Sequence, residues 1–309
     1  MFQVYLPIAE MSVNLLVMLG LGAAVGFLSG MFGVGGGFLL TPFLIFSGVS
    51  APIAVATGAN QVVATSVSGA LAQWRRNNID FRMGTVLIAG GVVGAVIGVL
   101  LLKVLREAGQ AGLVISLTYV ALLGAIGGLM LAESIRAIRR ARAGRPASGR
   151  RPGQHNWVHG LPLKIRFPRS RLYISSIPPL VIGWVVGLLT AFLGVSGGFV
   201  MVPAMIYLLR MPTNIVIGTS TFQIIFVTAV VTILHASLNH SLDVVLALTL
   251  AAGGVMGGQF GVRAGQKLRG EQLRALLALL VLAVAARLLF DLVLKPEDLY
   301  TITPVLKGA

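Results

Sequence analysis

Long apolar runs dominate the chain, and polar residues gather in short patches between them. Five runs precede the middle, at about 12–30, 38–49, 52–74, 84–105 and 111–132. Five follow it, at about 173–190, 199–209, 213–235, 242–264 and 272–294. A helix needs about 20 residues to cross the hydrocarbon core of a bilayer, and most of the runs reach that length. Helix is the expected form, because an open strand would leave unpaired backbone groups in lipid. Two runs, Phe38–Val49 and Phe199–Leu209, are about half length, and each follows a glycine-rich turn. Ten to twelve helical residues rise about 15–18 Å, so these two reach only the middle of a membrane.

The halves repeat. Gly33-Val34-Gly35-Gly36-Gly37-Phe38, with Pro42 four on, matches Gly194-Val195-Ser196-Gly197-Gly198-Phe199, with Pro203 four on. Further along, the stretch from Ala89 to Val99 matches the stretch from Ala252 to Val262, so the offset drifts only from 161 to 163 residues. The expected organisation is a first transmembrane repeat at 1–132, a basic linker at 133–172 and a second repeat at 173–309. The fold class expected is an all-α polytopic membrane protein.

Composition agrees. Apolar residues make up 56% and charged residues 11%, against about 25% charged in a soluble domain. The formal net charge of +15 would suggest nucleic acid if it formed a patch on a soluble fold. Here the cations lie between apolar runs, where they report topology, since Lys and Arg stay on the cytoplasmic side; no nucleic-acid partner is expected. The linker holds eleven of them, from Arg136 to Arg171, against one acid, Glu133, and would also contact anionic lipid headgroups. Counting five crossings per half with the linker inside puts Arg75, Arg76 and Arg82 inside and Lys103 and Arg106 outside. It also puts Arg263, Lys267, Arg269 and Arg274 inside. Equivalent loops thus differ in charge as oppositely placed repeats require, which predicts inverted repeats with both termini outward. Residues 1–14 lack the basic start and small-residue cleavage site of a signal peptide, so the first run is expected to be retained.

Chemistry is sparse. There is no cysteine, all nine acids sit at run ends or in loops, and no nucleophile–base set or metal-ligand spacing appears. No enzyme, cofactor or metal centre is expected. The glycine turns carry the best signal. A turn of this kind at matching places in two inverted halves points to a broken helix, whose free amides and positive dipole end attract an anion. The alternative is tight helix crossing. The expected anion-binding groups are the amides of Gly35, Gly36 and Gly37 and of Ser196, Gly197 and Gly198. The next run in each half is polar within, with Thr57, Asn60 and Gln61 in the first and Thr219, Ser220 and Gln223 in the second. Thr57 pairs with Thr219 and Gln61 with Gln223 at an offset of 162. These side chains either bond neighbouring helices or hold the substrate. Glycines at spacing four (Gly22, Gly26, Gly30; Gly90, Gly94, Gly98; Gly253, Gly257, Gly261, Gly265) each form one small helix face and are expected to pack helices. His235 and His240 flank a short outer loop. Arg287 and Asp291 are spaced to pair.

The doubled Gly-Val-x-Gly-Gly-Phe-x-x-x-Pro block, Gly-Thr-Ser-Thr at 218–221 and the Gly-Gly-Val-x-Gly-x-x-x-Gly helices resemble the sulfite exporter TauE/SafE family of membrane permeases. The likeness covers residues 12–132 and 173–294. It implies transport of sulfite, sulfonates or related sulfur-containing anions across a prokaryotic cytoplasmic membrane. Ala56-Thr57-Gly58-Ala59 departs from the Gly-Thr-Ser-Thr form, so the two repeats need not bind equally. The expectation is a secondary transporter working by alternating access, with a small anion and the lipid bilayer as partners. A passive anion channel, or a membrane scaffold that uses the linker, remains open at this point.

Overall fold

A computed structural model of the chain describes residues 3–32, 37–142, 162–170, 172–209, 211–265 and 270–294. The first half runs through α1 (Leu15–Phe32), short α2 (Gly37–Phe46), α3 (Ala51–Arg75), α4 (Phe81–Glu107) and α5 (Ala111–Arg142). The second follows the same plan: α6 (Ile177–Leu193), short α7 (Gly198–Tyr207), α8 (Thr213–Leu238), α9 (Val244–Gly265) and α10 (Gly270–Val293). Six of these helices are long and apolar enough to span a bilayer. The helix α3 is also long, at 25 residues, but its internal Thr, Asn, Gln and Ser residues lower its hydropathy. It sits inside the bundle, with Ala54, Val55, Ala56, Thr57 and Ala59 fully buried. The all-helical membrane class and the two half-length helices agree with the sequence.

Two hairpins were not expected. A β-hairpin precedes each half: β1 (Gln3–Leu6) pairs antiparallel with β2 (Met11–Asn14), and β3 (Lys164–Phe167) with β4 (Leu172–Ser175). The second hairpin lies in what reads as linker, and α5 carries its helix on to Arg142; residues 143–161 lie outside the described residues. Each hairpin buries its last inner residue, Leu6 in one and Phe167 in the other, followed by Pro7 or Pro168. A hairpin thus stands just before α1 and just before α6 alike.

The principal helix contacts cross between halves. The pairs are α1 with α9, α4 with α6, α5 with α10 and α3 with α8. Glycine makes the first two pairings so close. Gly22 faces the backbone of Leu250, Gly26 that of Gly254 and Gly30 that of Gly258. The partner number rises with the glycine number, so α1 and α9 are parallel. Gly90, Gly94 and Gly98 face Leu180, Trp184 and Leu188 in the same rising order, so α4 and α6 are parallel too. In lipid the apolar tails are as good a solvent as leucine, and close backbone approach through small residues is what drives helices together.

The two pairs run opposite ways. Arg106, at the end of α4, donates from Nη1 to the carbonyl of Asn239, and Asp243 caps the start of α9 by accepting from the amides of Val245 and Leu246 at 3.1 Å. The helix α9 therefore begins where α4 ends. Asp80 caps α4 in turn, accepting from Met83 N at 3.3 Å. Both capping carboxylates also hold a hairpin of the other half. Asp80 Oδ2 accepts from Ser170 N at 2.9 Å and Ser170 Oγ at 2.7 Å, and Asp243 Oδ2 accepts from Ile8 N at 3.3 Å.

Charge divides between the two ends. Arg82 and Arg169 bond across to Arg166 and Asn77, and Tyr207 donates its hydroxyl to Glu133. One end thus gathers Arg75, Arg76, Arg82, Arg136, Arg139, Lys164, Arg166 and Arg169. At the other end, among the described residues, Lys103 and Arg106 sit beside Glu107, and Arg287 is paired with Asp291 at 3.4 Å.

Candidate functional site

The two short helices meet at their starts. Phe38 and Phe199, each the second residue of its helix, stack with ring centroids 4.7 Å apart and planes 11° from parallel, and both are buried. Beside them the helix α6 stops at Gly194, whose φ of +67° is easy for glycine and costly for residues with a Cβ. The chain then turns through Ser196 into α7. This turn lies against the start of α2: a Cβ on Gly37 would fall 2.6 Å from Gly194 O, 2.7 Å from Val62 Cγ2 and 2.8 Å from Ser196 N. The positive ends of two helices therefore converge on one buried zone, and among the described residues no carboxylate lies there.

Gly37, Ser196, Gly197 and Gly198 come together here as the repeat suggests, all of them buried. Gly35 and Gly36 lie outside the described residues. Not every amide is free: Phe199 N donates to Ser196 O at 3.2 Å and Met201 N to Gly197 O at 2.8 Å. The packing is tight enough that an anion beside Gly37 requires α2 and the Gly194–Ser196 turn to separate. Here the start of α2 and the Gly194–Ser196 turn are in direct contact.

The polar residues of α3 and α8 divide into three kinds. Thr219 and Ser220 bond to backbone: Thr219 Oγ1 accepts from Asp80 N at 3.0 Å and Ser220 Oγ donates to Ile217 O at 3.1 Å. Gln61 reaches the crossing of α1 and α9, where its Nε2 donates to Leu250 O at 3.3 Å and Gly22 O at 3.4 Å. The third kind is buried without a partner: Thr57 Oγ1, Gln61 Oε1 and both amide atoms of Gln223. Asn60 is half-buried. Gln223 packs beside Gly91, the repeat equivalent of the place where Gln61 packs beside Gly254. A buried amide without a partner costs about 1–3 kcal/mol, so its retention calls for a ligand, water or second conformation that satisfies it.

Two residues near the site, Thr41 and Tyr119, were missed in the sequence, and a third, His235, stood out there only as flanking a loop. Thr41, fully buried, stands one turn into α2; a Cβ on Gly58 or Gly194 would meet its Oγ1 at 2.8 or 2.9 Å. Tyr119 and His235 both bond to the last turn of α6: Tyr119 OH donates to Leu193 O at 2.6 Å, and His235 Nε2 lies 2.9 Å from Ala191 O. Thr41 is legible as the residue one turn beyond the glycines. The other two depend on distant contacts that no local pattern shows. His235 is fully buried and not interfacial as its place beside a loop suggested.

Comparison with known proteins places this arrangement. A "Probable membrane transporter protein YunE" from Bacillus subtilis (strain 168) is 25% identical over 295 residues, covering 91% of this chain and 98% of its own length. Proteins named "Probable membrane transporter protein" from two Xylella fastidiosa strains, 9a5c and Temecula1, are 29% and 30% identical, covering 88% of this chain and 94% of each relative. No solved structure matches. The family described as Sulfite exporter TauE/SafE matches residues 18–288. That span runs from α1 through α10 and takes in both glycine turns and both members of each close helix pair, so this multi-pass membrane protein belongs to the TauE/SafE family of transporters.

Proposed function

We propose that the protein is a secondary transporter that moves a small sulfur-containing anion, such as sulfite or an organosulfonate, across the cytoplasmic membrane by alternating access. The observation that carries this is the meeting of two half-length helices at their positive ends, marked by the Phe38–Phe199 stack. Buried positive dipole ends without a carboxylate favour a negative solute. The opposed directions of α1–α9 and α4–α6 support two inverted repeats, and the basic end is the cytoplasmic one by the distribution of Lys and Arg. Gly37, the Ser196–Gly198 amides, Thr57, Asn60, Gln61, Thr219, Ser220 and Gln223 are the candidate contacts, and Gly35 and Gly36 join them on the sequence repeat alone. With dipoles and hydrogen bonds alone in the middle, a singly charged sulfonate is easier to desolvate than a doubly charged sulfate.

The packing supports alternating access. The α2 start and the Gly194–Ser196 turn close on one another, and each repeat holds a hairpin of the other at opposite ends. Opening one side means parting one hairpin from its aspartate while the other stays shut. The test is uptake into liposomes of purified protein with sulfite, alkanesulfonates, sulfate and carboxylates in parallel. Saturable uptake that trans-substrate accelerates, with sulfonate ahead of sulfate, is the expected result. Flux that rises linearly without counterflow would mean a channel, and no flux with any of these anions would end the transport reading.

A further inference from the structure

We infer that His235 is the proton-carrying residue of this transporter, so that one proton travels with each monoanion in the same direction. The inference rests on the transport reading and adds the coupling ion to it.

The geometry is that of a two-position device. His235 Nε2 lies 2.9 Å from the carbonyl of Ala191. A carbonyl only accepts, so Nε2 carries a hydrogen and Nδ1 is bare in the neutral ring. That bare nitrogen lies 3.0 Å from Asn239 Nδ2, which donates to it. The other half of the same amide, Asn239 Oδ1, is buried and has no partner. If a proton arrives at Nδ1, the ring becomes a donor on both sides. Asn239 then needs only to turn over by half a turn, presenting Oδ1 to Nδ1–H and releasing Nδ2. The Nε2–H bond to Ala191 is kept. Both protonation states are therefore satisfied by the same two neighbours, and the unpartnered oxygen of the closed state is the group that the second state uses.

Access and linkage follow from position. Asn239 lines an open cavity of about 320 Å³ together with Lys103, Arg106, Glu107 and Leu238, so the end away from the basic loops lies one buried side-chain amide from the ring, and a turn of that amide is the step that passes a proton inward. On its inner side the ring holds Ala191, in the last turn of α6, and three residues further on is Gly194, whose turn closes against α2. Proton occupancy is thus placed one helix turn from the moving part. The charged and titratable groups around His235 are Lys103, Arg106 and Glu107 at the end of α4, His240 and Asp243 beyond α8, and Tyr119 on α5. Arg106 is committed to Asn239 O and Asp243 to the α9 cap, and Tyr119 to Leu193 O. None of them bonds to the imidazole. A buried imidazolium without a counter-charge is costly, and a bound anion supplies one. Proton and anion therefore load together, and the pair crosses without net charge.

The experiment uses the full chain in liposomes with an alkanesulfonate, which binds no proton between pH 5 and 8, so any proton that moves is carried by the protein. A trapped pH dye reports proton movement while labelled sulfonate reports the anion. With the outside one pH unit more acid and no membrane potential, one-to-one coupling drives about tenfold accumulation at equilibrium. His235→Gln keeps a donor for Ala191 but takes no proton; it is expected to keep counterflow and to lose both the accumulation and the dye signal. Asn239→Leu, which keeps the histidine and removes its partner, is expected to flatten the pH profile of uptake. Sulfonate flux with no dye response in the wild-type protein overturns the coupling while leaving transport standing. Undiminished proton-driven accumulation in His235→Gln overturns the role of His235. Absence of flux with every anion overturns the transport reading, and coupling with it.

Discussion

Replacing glycines of α1 one at a time measures the cross-repeat packing directly. Three positions on this helix give a graded series. A Cβ on Gly20 would meet nothing within 4 Å, whereas one on Gly22 would lie 2.6 Å from Leu250 O and 3.0 Å from Leu250 Cα. At Gly26 the backbone of Gly254 stands closer still. Real Cβ contacts do not fall below 3.0 Å, so at Gly22 the helices must part by about 0.4–0.8 Å to reach an ordinary fit, and at Gly26 by more. A gap of about 0.5–1 Å forfeits a quarter to a half of each contact, and each carbon pair contributes about 0.1–0.2 kcal/mol. With on the order of 20–30 pairs along the crossing, the loss is about 1–2 kcal/mol at Gly22→Ala and at the upper end of the usual 1–3 kcal/mol overpacking cost at Gly26→Ala. Alanine also gains up to about 1 kcal/mol of helix propensity, but it does so at all three positions, and Gly20→Ala shows that gain alone. The melting midpoint in detergent, read by size-exclusion chromatography after heating, should therefore fall in the order Gly20→Ala, Gly22→Ala, Gly26→Ala. Equal midpoints for Gly20→Ala and Gly26→Ala would mean that α1 and α9 do not meet as described.

Three more outcomes follow. Gln223→Leu removes two buried polar atoms that have no partner; it should raise thermal stability by about 1–3 kcal/mol while lowering transport, and a loss of stability would show that the amide is satisfied after all. Phe38→Ala and Phe199→Ala should each cost about 3–5 kcal/mol, with about 0.5–1.5 kcal/mol of coupling in the double-mutant cycle for the stack; additive effects would deny the ring contact. Because the chain has no cysteine, single cysteines can be introduced without background. Arg169→Cys should react with a membrane-impermeant maleimide only from the cytoplasmic face and His240→Cys only from the opposite face, and labelling of both from one side would refute opposed repeats.

Much of the architecture was legible because lipid makes it so. Runs of about 20 apolar residues have no other use, and Phe38–Val49 and Phe199–Leu209 stood out by being too short for a crossing. The glycines at spacing four announced close packing, but not against which helix. In a soluble bundle an apolar stripe shows which way a helix faces, whereas here the face toward lipid is as apolar as the face toward protein. That Gly26 meets Gly254 and not a neighbour in its own half was thus invisible. The hairpins were missed because a strand of four residues has too short a pattern to show, and because Lys164, Arg166 and Arg169 read as linker charge. The candidate site was legible at Gly37 and at Ser196–Gly198 through the repeat. Thr219 was named there too, but its bond to Asp80 N was not foreseen, since it joins residues 139 apart in the chain.

The exchange of hairpins and helices between halves bears on synthesis. When the first half has been made, α1 and α4 each present a glycine face whose partner is still to come, and Asp80 waits for Ser170. No half of this chain is a finished object, so the ribosome must deliver both before the fold can close. Two separately expressed halves should accumulate only when made together.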